Sequence, residues 1–61
     1  MHFIRRETDD EAAMLEAVTV LVKARIRFEA CPLPYNSWQI AVPFNKWELI
    51  EDQFIKILKL Y

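Results

Sequence analysis

Apolar and polar residues repeat along this chain with two different periods. In "RIRFEAC", Ile26, Phe28 and Ala30 alternate with Arg27, Glu29 and Cys31, the two-residue rhythm of a strand with one buried face. In "SWQIAVP", Trp38, Ile40 and Val42 alternate with Ser37, Gln39 and Ala41 in the same way. Pairing the two antiparallel, with Ala30 opposite Trp38, Phe28 opposite Ile40 and Ile26 opposite Val42, puts every apolar residue on one face. A slip of one residue would mix the faces. The segment Pro32–Asn36 then forms the hairpin loop. Pro32 and Pro34 fix their own φ and push Cys31 and Leu33 toward extended backbone. Asn36 tolerates a left-handed conformation, and Pro43 suits the end of a strand.

Elsewhere the period is helical. "TDDE" at Thr8–Glu11 reads as a capping box, with Asp9 and Asp10 complementing the helix dipole. Ala12 to about Ala24 follows as a helix. Leu15, Val18 and Val22 form one stripe, widened by Met14 and Leu21, and the small residues Ala13, Ala17, Val20 and Ala24 form a second beside it. A helix apolar over more than half its circumference is expected to pack on two sides. A second helix opens at "PFNKWEL", with Asn45 as N-cap, Glu48 three residues on, and Phe44 and Leu49 placed as a hydrophobic staple. Trp47, Ile50, Phe54, Ile57, Leu58 and Tyr61 make its stripe. "MHFIRR" suggests a short N-terminal strand, with Phe3 and Ile4 as its apolar residues.

The expected fold is α+β in the order β-α-β-β-α, a three-stranded antiparallel sheet with two helices on one face. The alternative is α-β-β-α behind a disordered N-terminus. The first order resembles half of a ferredoxin-like fold lacking its last strand, a likeness of topology that implies no function. The segment Ser37–Val42 would be central, flanked by the N-terminal strand and by Ile26–Cys31.

Composition narrows the function classes. The chain has 61 residues, 54% of them hydrophobic and 28% charged, which fits a single globular domain over residues 1–61 and not a disordered chain. A domain this small gains from a disulfide, a metal or a partner subunit. One cysteine, Cys31, and one histidine, His2, supply neither a disulfide nor a structural zinc site, so self-association rises as the remaining route. The absence of glycine excludes phosphate loops and dinucleotide fingerprints, which need glycine for close backbone approach. A net charge of −1 gives no overall attraction to nucleic acid or anionic lipid. No apolar run nears the ~20 residues of a membrane span, and a lone thiol without a signal peptide suits the cytoplasm.

No catalytic, cofactor or metal residues are expected. Nothing places a base beside Cys31, and the acidic groups Asp9–Glu11 and Glu48–Asp52 lie in or near first helical turns, where the dipole accounts for them. The reading is a non-enzymatic protein-binding or regulatory module, acting by docking and homodimeric. Chains this short without catalytic apparatus are often accessory regulators or inhibitors, some of them phage-encoded. Leu33 and Tyr35 on the proline-framed loop, with Leu49 and Leu60 off the main stripe of the second helix, are the expected partner-binding residues. The competing expectation has Leu33 and Tyr35 folded back over the sheet or the second helix. Phe3 and Ile4 on an open strand edge, with Ala13, Ala17 and Val20, are the expected dimer contacts. The alternative for the small-residue stripe is close approach of the two helices within one monomer. The other function reading is a nucleic-acid-associated regulator using Arg5, Arg6, Arg25 and Arg27 at the sheet edge. One backbone expectation is sharper: the helix-to-strand junction lacks glycine, so Ala24 or Arg25 should sit at positive φ.

Overall fold

A computed structural model describes residues 2–59. The elements follow the expected order: β1 (Phe3–Thr8), α1 (Glu11–Lys23), β2 (Glu29–Leu33), β3 (Ser37–Pro43) and α2 (Phe44–Leu58). The sheet order is β1-β3-β2 with both pairings antiparallel. β1 and β2 are therefore parallel to each other with β3 inserted between them. The alternative with an unstructured N-terminus fails, because β1 pairs with β3 from Phe3 opposite Pro43 to Thr8 opposite Trp38. Leu60 and Tyr61 lie outside the described residues.

The hairpin is tighter than the alternation alone suggests. Ala30 faces Ile40 and Pro32 faces Trp38, two residues along from the expected register. A two-residue shift preserves the faces, so the pattern could not distinguish the two. The turn decides it: Pro34, Tyr35 and Asn36 alone form the loop, with φ of +65° at Tyr35 and +57° at Asn36. Both values lie in the left-handed region, which lets so short a loop reverse the chain. Ser37 Oγ donates to the Pro34 carbonyl at 2.9 Å. Pro32 consequently belongs to β2, an edge strand, where proline is tolerated. Residues 26–28 lie outside the ladder.

Both N-cap positions move by two residues, in opposite directions. The N-cap of α1 is Asp10, whose Oδ1 accepts from the Ala13 amide at 3.2 Å. Thr8 Oγ1 instead accepts from the Asp10 amide at 3.1 Å, so the capping box is not made. α2 begins at Phe44, directly after β3, and Pro43 offers no side-chain cap. The His2 carbonyl takes the Phe44 amide at 2.8 Å, which replaces the expected Asn45 cap. Phe44 and Leu49 are both exposed, so the staple is not formed either.

α1 turns its small-residue stripe inward, the arrangement in which the two helices approach closely within one monomer. Its buried residues are Ala13, Ala17 and Leu21, while Leu15 and Val22 are 54% and 59% exposed. The small side chains let α1 approach α2 closely, and the larger Trp47, Ile50 and Phe54 of α2 fill the core with Leu21, Ile26, Ile40 and Val42. Trp47 meets Phe54 edge to face, ring centres 5.5 Å apart at 84°, a favoured aromatic geometry. The junction expectation holds: Arg25 has φ +57°. Its amide bonds the Val22 carbonyl and the Ile26 amide bonds the Leu21 carbonyl. This is a Schellman closure with arginine where glycine is usual, and Leu21 and Ile26 supply its hydrophobic contact.

Candidate interaction surfaces

The sheet has two dissimilar faces. Ile4, Arg6 and Thr8 of β1 share the helix-covered face with Trp38, Ile40 and Val42. Phe3, Arg5 and Glu7 share the open face with Ser37, Gln39, Ala41 and Pro43, as the cross-strand register requires. On the open face Arg5 and Glu29 flank Ala41, and Glu7 and Cys31 flank Gln39. Cys31 Sγ lies 3.9 Å from Gln39 Oε1, a weak thiol contact with no base beside it. Among the described residues no group of three His, Cys, Asp or Glu side chains is placed to hold a metal ion. No described helix is long and apolar enough to cross a membrane.

The expected partner-binding residues separate. Tyr35 is 97% exposed at the hairpin tip, so it does not fold back over the sheet or α2. Leu33, at the root of the turn, is half-buried. Leu49 is exposed and lines an open groove between the helices with Val20, Lys23 and Gln53. The helices pack on β1 and β3, and β2 is exposed along nearly its whole length, Ala30 and Pro32 of the helix-side face included. Leu15 and Val22 stand on the side of α1 turned away from α2. The sequence pattern set both on the larger of two apolar stripes, each expected to find a packing partner. The all-round apolar pattern of α1 left its rotation open, and the low bulk of Ala13 and Ala17 was the signal for it.

The expected dimer contacts divide as well. Ala17 has no accessible surface and Ala13 is buried; both are consumed inside the monomer. Val20 and Ile4 are half-buried against the core. Phe3 is half-buried on the open face, beside a depression lined by Arg27, Glu29, Pro43 and Lys46.

The arginines do not form one patch. Arg5 and Arg6 leave β1 on opposite faces. Arg6 is half-buried, with its guanidinium 5.1 Å from the Trp47 ring centre, a cation–π distance. The groove around it is completed by Glu51 and Ile55. Arg25 closes α1, and Arg27 sits beside Glu29. Sequence reading had no means of finding the Arg6–Trp47 contact, which joins residues 41 apart in the chain. No family model matches the chain, and neither a curated protein nor a solved structure gives a significant match.

Proposed function

We propose that this chain is a non-enzymatic docking module that binds a protein partner through the tip of the β2–β3 hairpin and works as a homodimer. The observation that carries the reading is Tyr35, fully in solvent at φ +65°. A positive-φ turn position is normally filled by Gly, Asn or Asp, because a larger side chain costs roughly 1 kcal/mol there. An aromatic ring held strained in water adds nothing to the monomer's stability. At an interface it has a use, since tyrosine is a favoured anchor. The tip is stiff, with Pro34 fixing its own φ and Ser37 bonded to the Pro34 carbonyl, so little entropy is lost on docking. Leu33 extends the apolar contact at the base of the tip. The module would act by occluding or scaffolding its partner, as small regulators and inhibitors do.

A nucleic-acid reading has weaker support, because Arg5, Arg6, Arg25 and Arg27 are scattered and interleaved with acidic groups. The test separates the two. A photo-crosslinking amino acid is placed at Tyr35, and in a second variant at the exposed Asp52, and each is irradiated in the native cell. The expected result is a discrete protein adduct from position 35 and none from position 52. Adducts with nucleic acid, or equal labelling from both positions, overturn the docking reading.

A further inference from the structure

The two sheet edges differ in how open they are to another strand. β2 carries Pro32, which has no amide to donate to a neighbouring strand, and Pro34 follows at the turn. β1 has neither device, and among the described residues its outer edge has no strand partner. Its sequence, Phe-Ile-Arg-Arg-Glu-Thr, places opposite charges two residues apart on the open face: Arg5 and Glu7, both exposed.

An edge-to-edge pair of identical strands is antiparallel about a two-fold axis normal to the sheet. Directly opposed residues must then lie on the same face, so only registers centred on a single residue are allowed. Two of them engage most of β1. Centring on Arg5 sets Arg5 against Arg5 of the second copy and Phe3 against Glu7. Centring on Arg6 sets Arg5 against the partner's Glu7 twice, once on each side of the axis, with Ile4 against Thr8. The second arrangement is the charge-complementary one. Its drawback is Arg6 opposite Arg6, and the fold already moderates it. Arg6 is drawn back over its own Trp47, with Glu51 lining the same groove. Phe44, Glu51 and Ile55 fall on one side of α2 by helical spacing, the side on which Arg6 and Trp47 meet. Phe44 is 62% exposed there, and a second copy would cover that flank.

We propose that β1 pairs with β1 of a second copy in the register centred on Arg6, joining two three-stranded sheets into one six-stranded sheet held by two reciprocal Arg5–Glu7 pairs. This rests on the self-association part of the function proposed above and supplies its geometry. Sedimentation equilibrium from ~10 μM to ~1 mM, at low salt where exposed charges act fully, is the experiment. Wild type is expected to dimerise. Arg5→Glu alone, or Glu7→Arg alone, should weaken the dimer about tenfold or more, and the double swap Arg5→Glu/Glu7→Arg should bring it back to within about threefold of wild type. Both positions are exposed, and circular dichroism checks that each variant stays folded. A wild-type dimer indifferent to the single reversals, or not restored by the swap, overturns this register while leaving self-association standing. A wild-type monomer throughout the range overturns both.

Discussion

Arg25, Tyr35 and Lys59 hold left-handed backbone conformations that suit glycine or asparagine better, and the first two each make a separate prediction. Arg25 occupies the left-handed position of the α1 closure. Glycine there removes the Cβ clash, worth about 1 kcal/mol, while alanine retains it. Arg25→Gly should therefore raise the melting temperature by roughly 4–8 °C, the shift expected per kcal/mol for a domain this small. Arg25→Ala should not raise it. Equal behaviour of the two variants would show that the arginine, and not its backbone conformation, sets the stability at this site. Tyr35 is strained in the same sense but has no hydrogen bond or packing contact to account for it. Tyr35→Asn should stabilise the isolated protein by a similar amount, since asparagine enters left-handed turns readily. A thermal melt decides this, and a loss of stability would mean that the ring supports the fold. The Arg25 strain was legible in the sequence, from a helix-to-strand junction without glycine. The Tyr35 strain was not, because with two prolines nearby the loop could close in several lengths and only the tightest needs a positive φ at Tyr35.

At the scale of elements, periodicity fixed the types and topology of the strands and helices, while registers and rotations depended on what each element packs against. β2 illustrates the limit. Ile26, Phe28 and Ala30 alternate correctly, yet the ladder starts at Glu29 and runs through Pro32, because the turn geometry chooses among registers of equal parity. α1 illustrates it more strongly. Its sequence offers a stripe of large apolar residues and a stripe of small ones, and hydrophobicity alone favours burying the large one. Close helix packing favours the small one, and the bulk of Trp47, Ile50 and Phe54 on α2 makes up the volume. This assignment is testable by substitution. Ala17→Leu places a large side chain at a position with no exposed surface and should cost about 1–3 kcal/mol, or more, through overpacking. Leu15→Gln and Val22→Gln, on the exposed side, should each stay within about 0.5 kcal/mol of wild type. Urea titrations measure all three. The reverse ranking would put the large stripe back in the core. The same rotation weakens a dimer built on the small residues of α1 and leaves the β1 edge as the better candidate for self-association.

The whole molecule is small enough that one side chain can decide whether it folds. Its radius of gyration, 10.6 Å, equals what a compact chain of this length should have, about 10.5 Å, so the core closes without the fourth strand that the ferredoxin-like order would add. That core is short. Phe54, Leu21, Ile40, Ile50 and Val42 are its largest fully buried side chains, and all contribute to a single cluster with Trp47. A domain of this size holds a total stability of roughly 3–9 kcal/mol at the usual value per residue, and truncating a buried phenylalanine costs about 3–5 kcal/mol. Phe54→Ala also removes the edge-to-face partner of Trp47, and with it support for the ring over which Arg6 lies. The variant should therefore lose its cooperative thermal transition, or keep one with a midpoint lowered by roughly 12–40 °C, since each kcal/mol moves the midpoint by about 4–8 °C. If self-association contributes to stability, raising the protein concentration should restore part of the transition, because a ligand that binds only the folded state shifts the balance toward it. A melt lowered by only a few degrees would mean that the stabilising contacts lie elsewhere than in the Phe54 cluster. A Phe54→Ala midpoint independent of concentration would mean that the monomer stands without its second copy.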